Sequence, residues 1–209
     1  HRDQAGSRHA DARGDELALG TRDAGPESLR PVTARTRTAS APMVDEGALV
    51  KANPLWMPRE TALKLAEAKA LDVSCRNSGT HVIGADQVLA LENKIYGKPR
   101  DRAHCRTQLQ ELRGQMHVLI SAVVLATDGT ITWTHIDEAQ LVMRDFSDEF
   151  LDAYLDAIGD DCKTSVGGYK IEGRGVQLFQ SISGDHFTIL GLPLVPLLVR
   201  LREAGEVDA

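Results

Sequence analysis

The run Met116–Thr127 constrains the fold more than any other part of this sequence. It is twelve residues of mainly Val, Leu, Ile and Ala, with β-branched residues recurring along it. Asp128-Gly129 follows, then Thr130 to Arg144, which alternates apolar and polar side chains over much of its length. Asp-Gly between two such runs is the strongest short-range hairpin signal, because both residues tolerate a positive φ. A hairpin this long is marginal alone and must bury a face against further strands or helices.

The rest of the chain supplies those partners. Pro58 begins a helical stretch with Ala62, Leu63, Ala66, Ala70 and Val73 on one face. His81 to Ala85 reads as a short buried strand that ends at Asp86. Val88–Leu91 and Ile95-Tyr96 flank a turn at Glu92-Asn93-Lys94. Asp101 to Arg113 reads as a helix stopped by Gly114. Ser147 caps a helix that carries Phe150, Leu151, Tyr154, Leu155 and Ile158 and ends at Gly159. Val176–Ile182 and Phe187–Leu190 read as two more strands. Pro193 opens a last helix that runs to Gly205. Strands interspersed with helices predict an α/β protein with a mixed sheet.

Composition divides the chain near Pro42. Residues 1–42 hold no aromatic residue and no lysine, so they bury little, and the expected domain spans 43–209. The whole chain is 42% hydrophobic, enough for a core, and carries a net charge of −6. That charge argues against a surface that grips long nucleic acid. No apolar run approaches the roughly 20 residues that cross a bilayer, and no signal-peptide core is present, so a cytoplasmic protein is expected. The three cysteines form no CxxC pair, and the seven histidines lack metal-site spacing.

Several residues can do chemistry. Asp86, at the end of a strand, suits a general base or metal ligand, and equally a turn cap. Lys98, between Gly97 and Pro99, is presented from a stiff loop that suits a phosphate, although most loop lysines are simply solvated. Lys69 lies on the first long helix and either snorkels or points into a cleft. Val44-Asp45-Glu46 places two acids after a short strand, where they can hold a divalent cation or stay solvated. Gly167 to Gly175 includes Glu172 in a glycine-rich run that matches neither a Walker loop nor a dinucleotide fingerprint.

Singly these signals are weak, but their order is specific. Leu65-Ala66-Glu67-Ala68-Lys69-Ala70, Gly84-Ala85-Asp86-Gln87-Val88, Gly97-Lys98-Pro99, Leu112 to His117, Ile171-Glu172-Gly173-Arg174-Gly175 and Gly191-Leu192-Pro193-Leu194, with Val44-Asp45-Glu46 upstream, together resemble the Maf family. The resemblance covers about residues 43–205. It implies two lobes around a central cleft, similar in shape to inosine triphosphate pyrophosphatases. It also implies hydrolysis of a nucleoside triphosphate to a monophosphate and pyrophosphate, an acid-anhydride hydrolase reaction. The family is further tied to nucleotide metabolism and septum formation, needs Mg²⁺ or Mn²⁺, and often forms homodimers.

By the same resemblance, Asp86 is the proton acceptor and, with Glu46, a metal ligand. Lys69 and Lys98 hold phosphates, and Gln87 and Glu172 contact the substrate. Gln87 and Glu172 match the branch that hydrolyses 7-methyl-GTP. A carboxylate accepts from guanine's N1–H and amine together, whereas uracil and thymine offer one such donor. Nothing in residues 1–42 reproduces the family's Ser-x-Ser-x-x-Arg phosphate loop. Leu17 to Arg22 is a partial match, and Gly25-Pro26 interrupts the helix expected next. The alternative function is therefore a Maf-like protein that binds nucleotide or a division partner without turnover.

Overall fold

The structure, a computed structural model, describes residues 43–208. The expectations about the phosphate loop and about Leu17 to Arg22 lie outside these residues.

The long hairpin forms as read. β3 (Met116–Thr127) and β4 (Thr130–Met143) pair antiparallel along their lengths. Asp128 and Gly129 turn between them with φ of 50° and 73°, the two positive values a two-residue turn requires. β1 (Val82–Leu91) pairs with β3, β2 (Lys94–Tyr96) with β1, and β5 (Phe179–Ser183) with β4. The order is β2-β1-β3-β4-β5, and every pairing among the described strands is antiparallel.

Helices cover both faces. α1 (Glu46–Ala52) precedes α2 (Pro58–Ser74), which starts on Pro58 as expected. α2 lays Ala62, Ala66 and Ala70 on Val88, Ala90, Ala122, Val124 and Ala126. Leu65 is buried as well, whereas Leu63 is only partly so. The opposite face receives α3 (Arg102–Leu112), α4 (Asp148–Ile158) and, over Val123 and Leu125, α6 (Leu194–Glu203). Side chains alternate along a strand, so Val82, Gly84, Asp86, Val88 and Ala90 share the α2 face. Asp101 and Ser147 cap α3 and α4 through their side chains. Gly114 and Gly159 follow the two helices with φ of 71° and 53°.

Four local readings are corrected. β1 does not stop at Asp86 but runs through it to Leu91, because β3 continues opposite and pairs Asp86 with Ala122. Residues 187–190 form no strand. Asp185 accepts from the N–H groups of Phe187 and Thr188 and starts a short helix, α5 (His186–Ile189). Of Val176–Ile182, the first residues lie in a 3₁₀ turn, Arg174–Leu178, and extended pairing begins at Phe179. Likewise, the described residues before the acids near residue 45 form no strand: Asp45 caps α1, accepting from Ala48.

Gly84 controls how closely α2 approaches β1. A Cβ there would lie 2.5 Å from the Ala66 carbonyl oxygen and 2.7 Å from the Ala70 Cβ. Gly84→Val should therefore cost about 1–3 kcal/mol by overpacking, read as a lower urea midpoint with unchanged slope.

His117 offers a second test. It is fully buried, its Nε2 meets the Tyr169 hydroxyl at 2.7 Å, and its Nδ1 has no partner among the described residues. Burial pushes its pKa from 6.5 down to about 4. The unfolded chain takes up this proton near 6.5 and the folded chain does so only near 4. Stability from this group is thus complete above 6.5 and falls as pH drops through that window. The loss should reach about 3 kcal/mol, and His117→Phe should flatten the pH dependence of unfolding free energy across this window.

Candidate active site

Lys69, Asp86 and Glu46 come from three different elements and meet at one point. Lys69 is on α2, one residue before Ala70, which packs beside Gly84. Asp86 lies two residues after Gly84 on the same face of β1. Close helix–strand packing brings the Lys69 Nζ to 2.5 Å from Asp86 Oδ1. Glu46 opens α1, and its Oε1 lies 2.7 Å from the same ammonium. Asp86 Oδ2 receives no hydrogen bond from the described residues.

Burial sets the electrostatics here. The Asp86 side chain is 9% exposed and the Glu46 side chain 52%. Burial raises the Asp86 pKa above the ordinary carboxylate value. Its bond to Lys69 and the charges of Lys69 and Lys98 offset that in part, and the Glu46 charge adds to the rise. For Lys69, burial works against the charge, but its bonds to Asp86 and Glu46 outweigh burial and hold its pKa above the lysine norm. Both partners therefore bind protons more tightly than usual. The carboxylate is thus more basic than a solvated one.

Lys98 follows β2 on an exposed loop, and its charge reaches Asp86. Gln108 on α3 donates to the Gly97 carbonyl at 3.1 Å, and Pro99 is buried, so the loop is pinned on both sides of the lysine. Gln108 was not apparent from the sequence. The signal for it was a glutamine at a core-facing position of an otherwise amphipathic helix.

Gln87 points to the other face of β1. Its Nε2 donates to Ser121 Oγ at 3.0 Å, to the Thr188 carbonyl at 3.0 Å and to the Ile189 carbonyl at 3.1 Å. Glu172, on the glycine-rich segment, lines the same cavity as Gln87. Gly175 holds this segment in shape, since a Cβ there would lie 2.4 Å from the Lys170 carbonyl oxygen. Ser121 and Thr188 are fully or nearly fully buried, and the sequence reading missed both. The available signal was a serine inside the apolar run of β3.

The structure thus brings Asp86, Lys69 and Glu46 into contact, with Lys98 within electrostatic range, and brings Gln87 to Glu172 on the opposite face. β2 covers only Leu89–Leu91, so among the described strands residues 82–88 form an edge between the two groups. No set of three or more His, Cys, Asp or Glu converges as a metal cage among the described residues. Asp86 and Glu46 are oxygen donors of the kind a hard divalent cation takes, and the position on which they converge holds the Lys69 ammonium. Among the described residues, no helix is long and apolar enough to cross a membrane.

Comparison with known proteins finds similar sequences over most of the chain. A 7-methyl-GTP pyrophosphatase of Brucella abortus is 46% identical over 172 residues, 82% of each chain. One of the same name from Rhizobium meliloti is 46% identical over 175 residues, 82% of this chain and 87% of that one. A nucleoside triphosphate pyrophosphatase of Bradyrhizobium diazoefficiens is 50% identical over 159 residues, 76% of this chain and 79% of that one. The family described as Maf-like protein matches residues 28–204, and the chain belongs to that family.

Proposed function

We propose that this protein hydrolyses a nucleoside triphosphate to the monophosphate and pyrophosphate, with Asp86 as proton acceptor. The observation that carries the reading is the Lys69 ammonium held between Asp86 and Glu46. It combines a basic carboxylate with a cation at one point, on rigid elements. The names of the relatives support the same chemistry.

The mechanism follows from these groups. Water attacks the α-phosphorus, and the bond to the bridging oxygen of the β-phosphate breaks. Asp86 Oδ2 accepts the water's proton as it attacks. Lys69 fixes the carboxylate through Oδ1, which leaves Oδ2 to the water. Lys69 and Lys98 offset negative charge on the phosphates. A divalent cation, Mg²⁺ or Mn²⁺, would be held by Asp86 and Glu46 and would neutralise phosphate charge. With its phosphates beside Asp86, the substrate lies across the β1 edge and reaches the Gln87–Glu172 cavity with its base. The base we propose is 7-methylguanine. Glu172 accepts from two adjacent donors on its edge, and the methylated ring's positive charge adds attraction to the carboxylate.

The test is pyrophosphate release from 7-methyl-GTP, GTP, dTTP and UTP with Mg²⁺ or Mn²⁺. Asp86→Asn should lower kcat by about a hundredfold or more. The wild type should turn over 7-methyl-GTP faster than dTTP or UTP. Equal rates for the wild type and Asp86→Asn would overturn the role of Asp86. A preference for pyrimidines would overturn the assignment of the base.

A further inference from the structure

Gln108 stands where an apolar side chain would serve the core better. It is 5% exposed and shares the buried face of α3 with Cys105, Leu109 and Leu112. Its Oε1 is buried with no hydrogen-bond partner among the described residues. Leaving a buried acceptor unpaired costs stability, and an apolar residue would leave no such orphan. A local rule broken without gain to the core points to a role elsewhere.

That role lies in the loop that carries Lys98. Gln108 Nε2 donates to the Gly97 carbonyl at 3.1 Å. One helical turn earlier, His104 Nδ1 accepts from the Arg100 N–H at 3.2 Å. The two side chains therefore hold the loop by backbone groups on either side of Lys98. Pro99 is buried between these points, and a Cβ on Gly168 would lie 3.4 Å from its Cγ. Asp101 Oδ1 accepts from the His104 N–H at 2.7 Å and fixes the start of the helix. Gly97 and Arg100 are exposed, so water is at hand for their backbone groups, and folding does not depend on either bond.

Proton placement shows that both side chains are committed to the loop and not to each other. A carbonyl only accepts, so the Gln108 atom at Gly97 is the NH₂ group. A backbone N–H only donates, so His104 Nδ1 carries a lone pair and the neutral ring has its proton on Nε2. Gln108 Nε2 and His104 Nε2 lie 3.3 Å apart as two donors, and this contact is no hydrogen bond. Turning the amide over would let Oε1 accept the His104 proton, but it would set two oxygens against each other at Gly97. The arrangement that holds the loop is the one that leaves Oε1 orphaned.

We infer that Gln108 and His104 are positioning residues for the proposed reaction: one turn apart on α3, they clamp the Gly97–Arg100 loop at both ends and so fix where Lys98 meets phosphate. Without the clamp the ammonium keeps its charge but samples more positions, and part of its contact with phosphate is lost to ordering. The inference deepens the proposed function and rests on its placement of phosphate at Lys98.

Inorganic pyrophosphate with Mg²⁺ carries the phosphates without the scissile ester, so its binding tests the clamp apart from turnover. By calorimetric titration, Gln108→Met should bind pyrophosphate about fivefold more weakly than the wild type, with a urea midpoint that is unchanged or higher. His104→Leu should weaken binding in the same direction. Lys98→Met should weaken it about tenfold, and adding Gln108→Met to Lys98→Met should change little further, because the clamp acts only through the lysine. Unchanged binding in Gln108→Met or in Lys98→Met, full additivity of the two, or a clearly lower urea midpoint in Gln108→Met overturns the inference. A second measurement needs no variant. In mildly alkaline solution, ¹⁵N spectra of the His104 ring should show the tautomer with its proton on Nε2, and a proton on Nδ1 contradicts the hold on Arg100. Pyrophosphate release from triphosphates, measured in parallel, separates the two claims: the predicted binding pattern without release sinks the hydrolytic reading and leaves the clamp standing.

Discussion

The contact between α2 and β1 at Gly84 sets the geometry of the phosphate side. A strand residue with any side chain would hold the helix away, since the space for a Cβ is already taken by the Ala66 carbonyl and by Ala70. The small residues Ala62, Ala66 and Ala70 make the same demand from the helix side. Close approach is what lets a lysine on the helix reach a carboxylate on the strand with little conformational freedom left to either. The ion pair then forms in a partly desolvated place. There burial makes the carboxylate more basic while the ammonium offsets part of that rise.

The two faces of one short stretch of β1 carry different polar groups. Strand alternation turns Asp86 toward Lys69 and Gln87 toward the cavity that Glu172 also lines. Neighbouring residues on one rigid strand thereby hold the proposed reacting end and base end of a nucleotide in fixed relation. Each is backed by its own cross-strand partners. Asp86 lies opposite Ala122 on the packed face, and Gln87 opposite Ser121 on the other. Positioning by a sheet is tighter than positioning by loops, because register admits no small slips.

Much of the fold was legible in the sequence. The Asp128-Gly129 turn, the Ser147 cap and the Pro58 start all act over a few residues, and each forms as read. Where apolar runs competed with local hydrogen bonding, the reading went wrong. Phe187–Leu190 resembled a strand, but the Asp185 side chain imposes a helical turn. Asp86 was read as a strand end because aspartate is rare inside strands, yet β3 supplies partners beyond it and Lys69 satisfies its charge. The meeting of Lys69, Asp86 and Glu46 depends on three elements packing together, and no local pattern encodes it; only the resemblance to a family pointed there. Ser121 was hidden for the opposite reason. Its neighbours made one apolar strand of the whole segment, and its role appears only once register places it beside Gln87.

The most direct test of the Lys69–Asp86 pair is a ¹³C titration of the Asp86 carboxyl carbon in the wild type and in Lys69→Met. The lysine is the nearest group lowering the Asp86 pKa, while burial and Glu46 raise it. In the wild type the midpoint should lie above the ordinary carboxylate value. Without Lys69 it should move higher still, and pyrophosphate release should lose its activity at the acid end first. A midpoint that stays in place or falls in Lys69→Met would contradict the pairing on which the proposed mechanism rests.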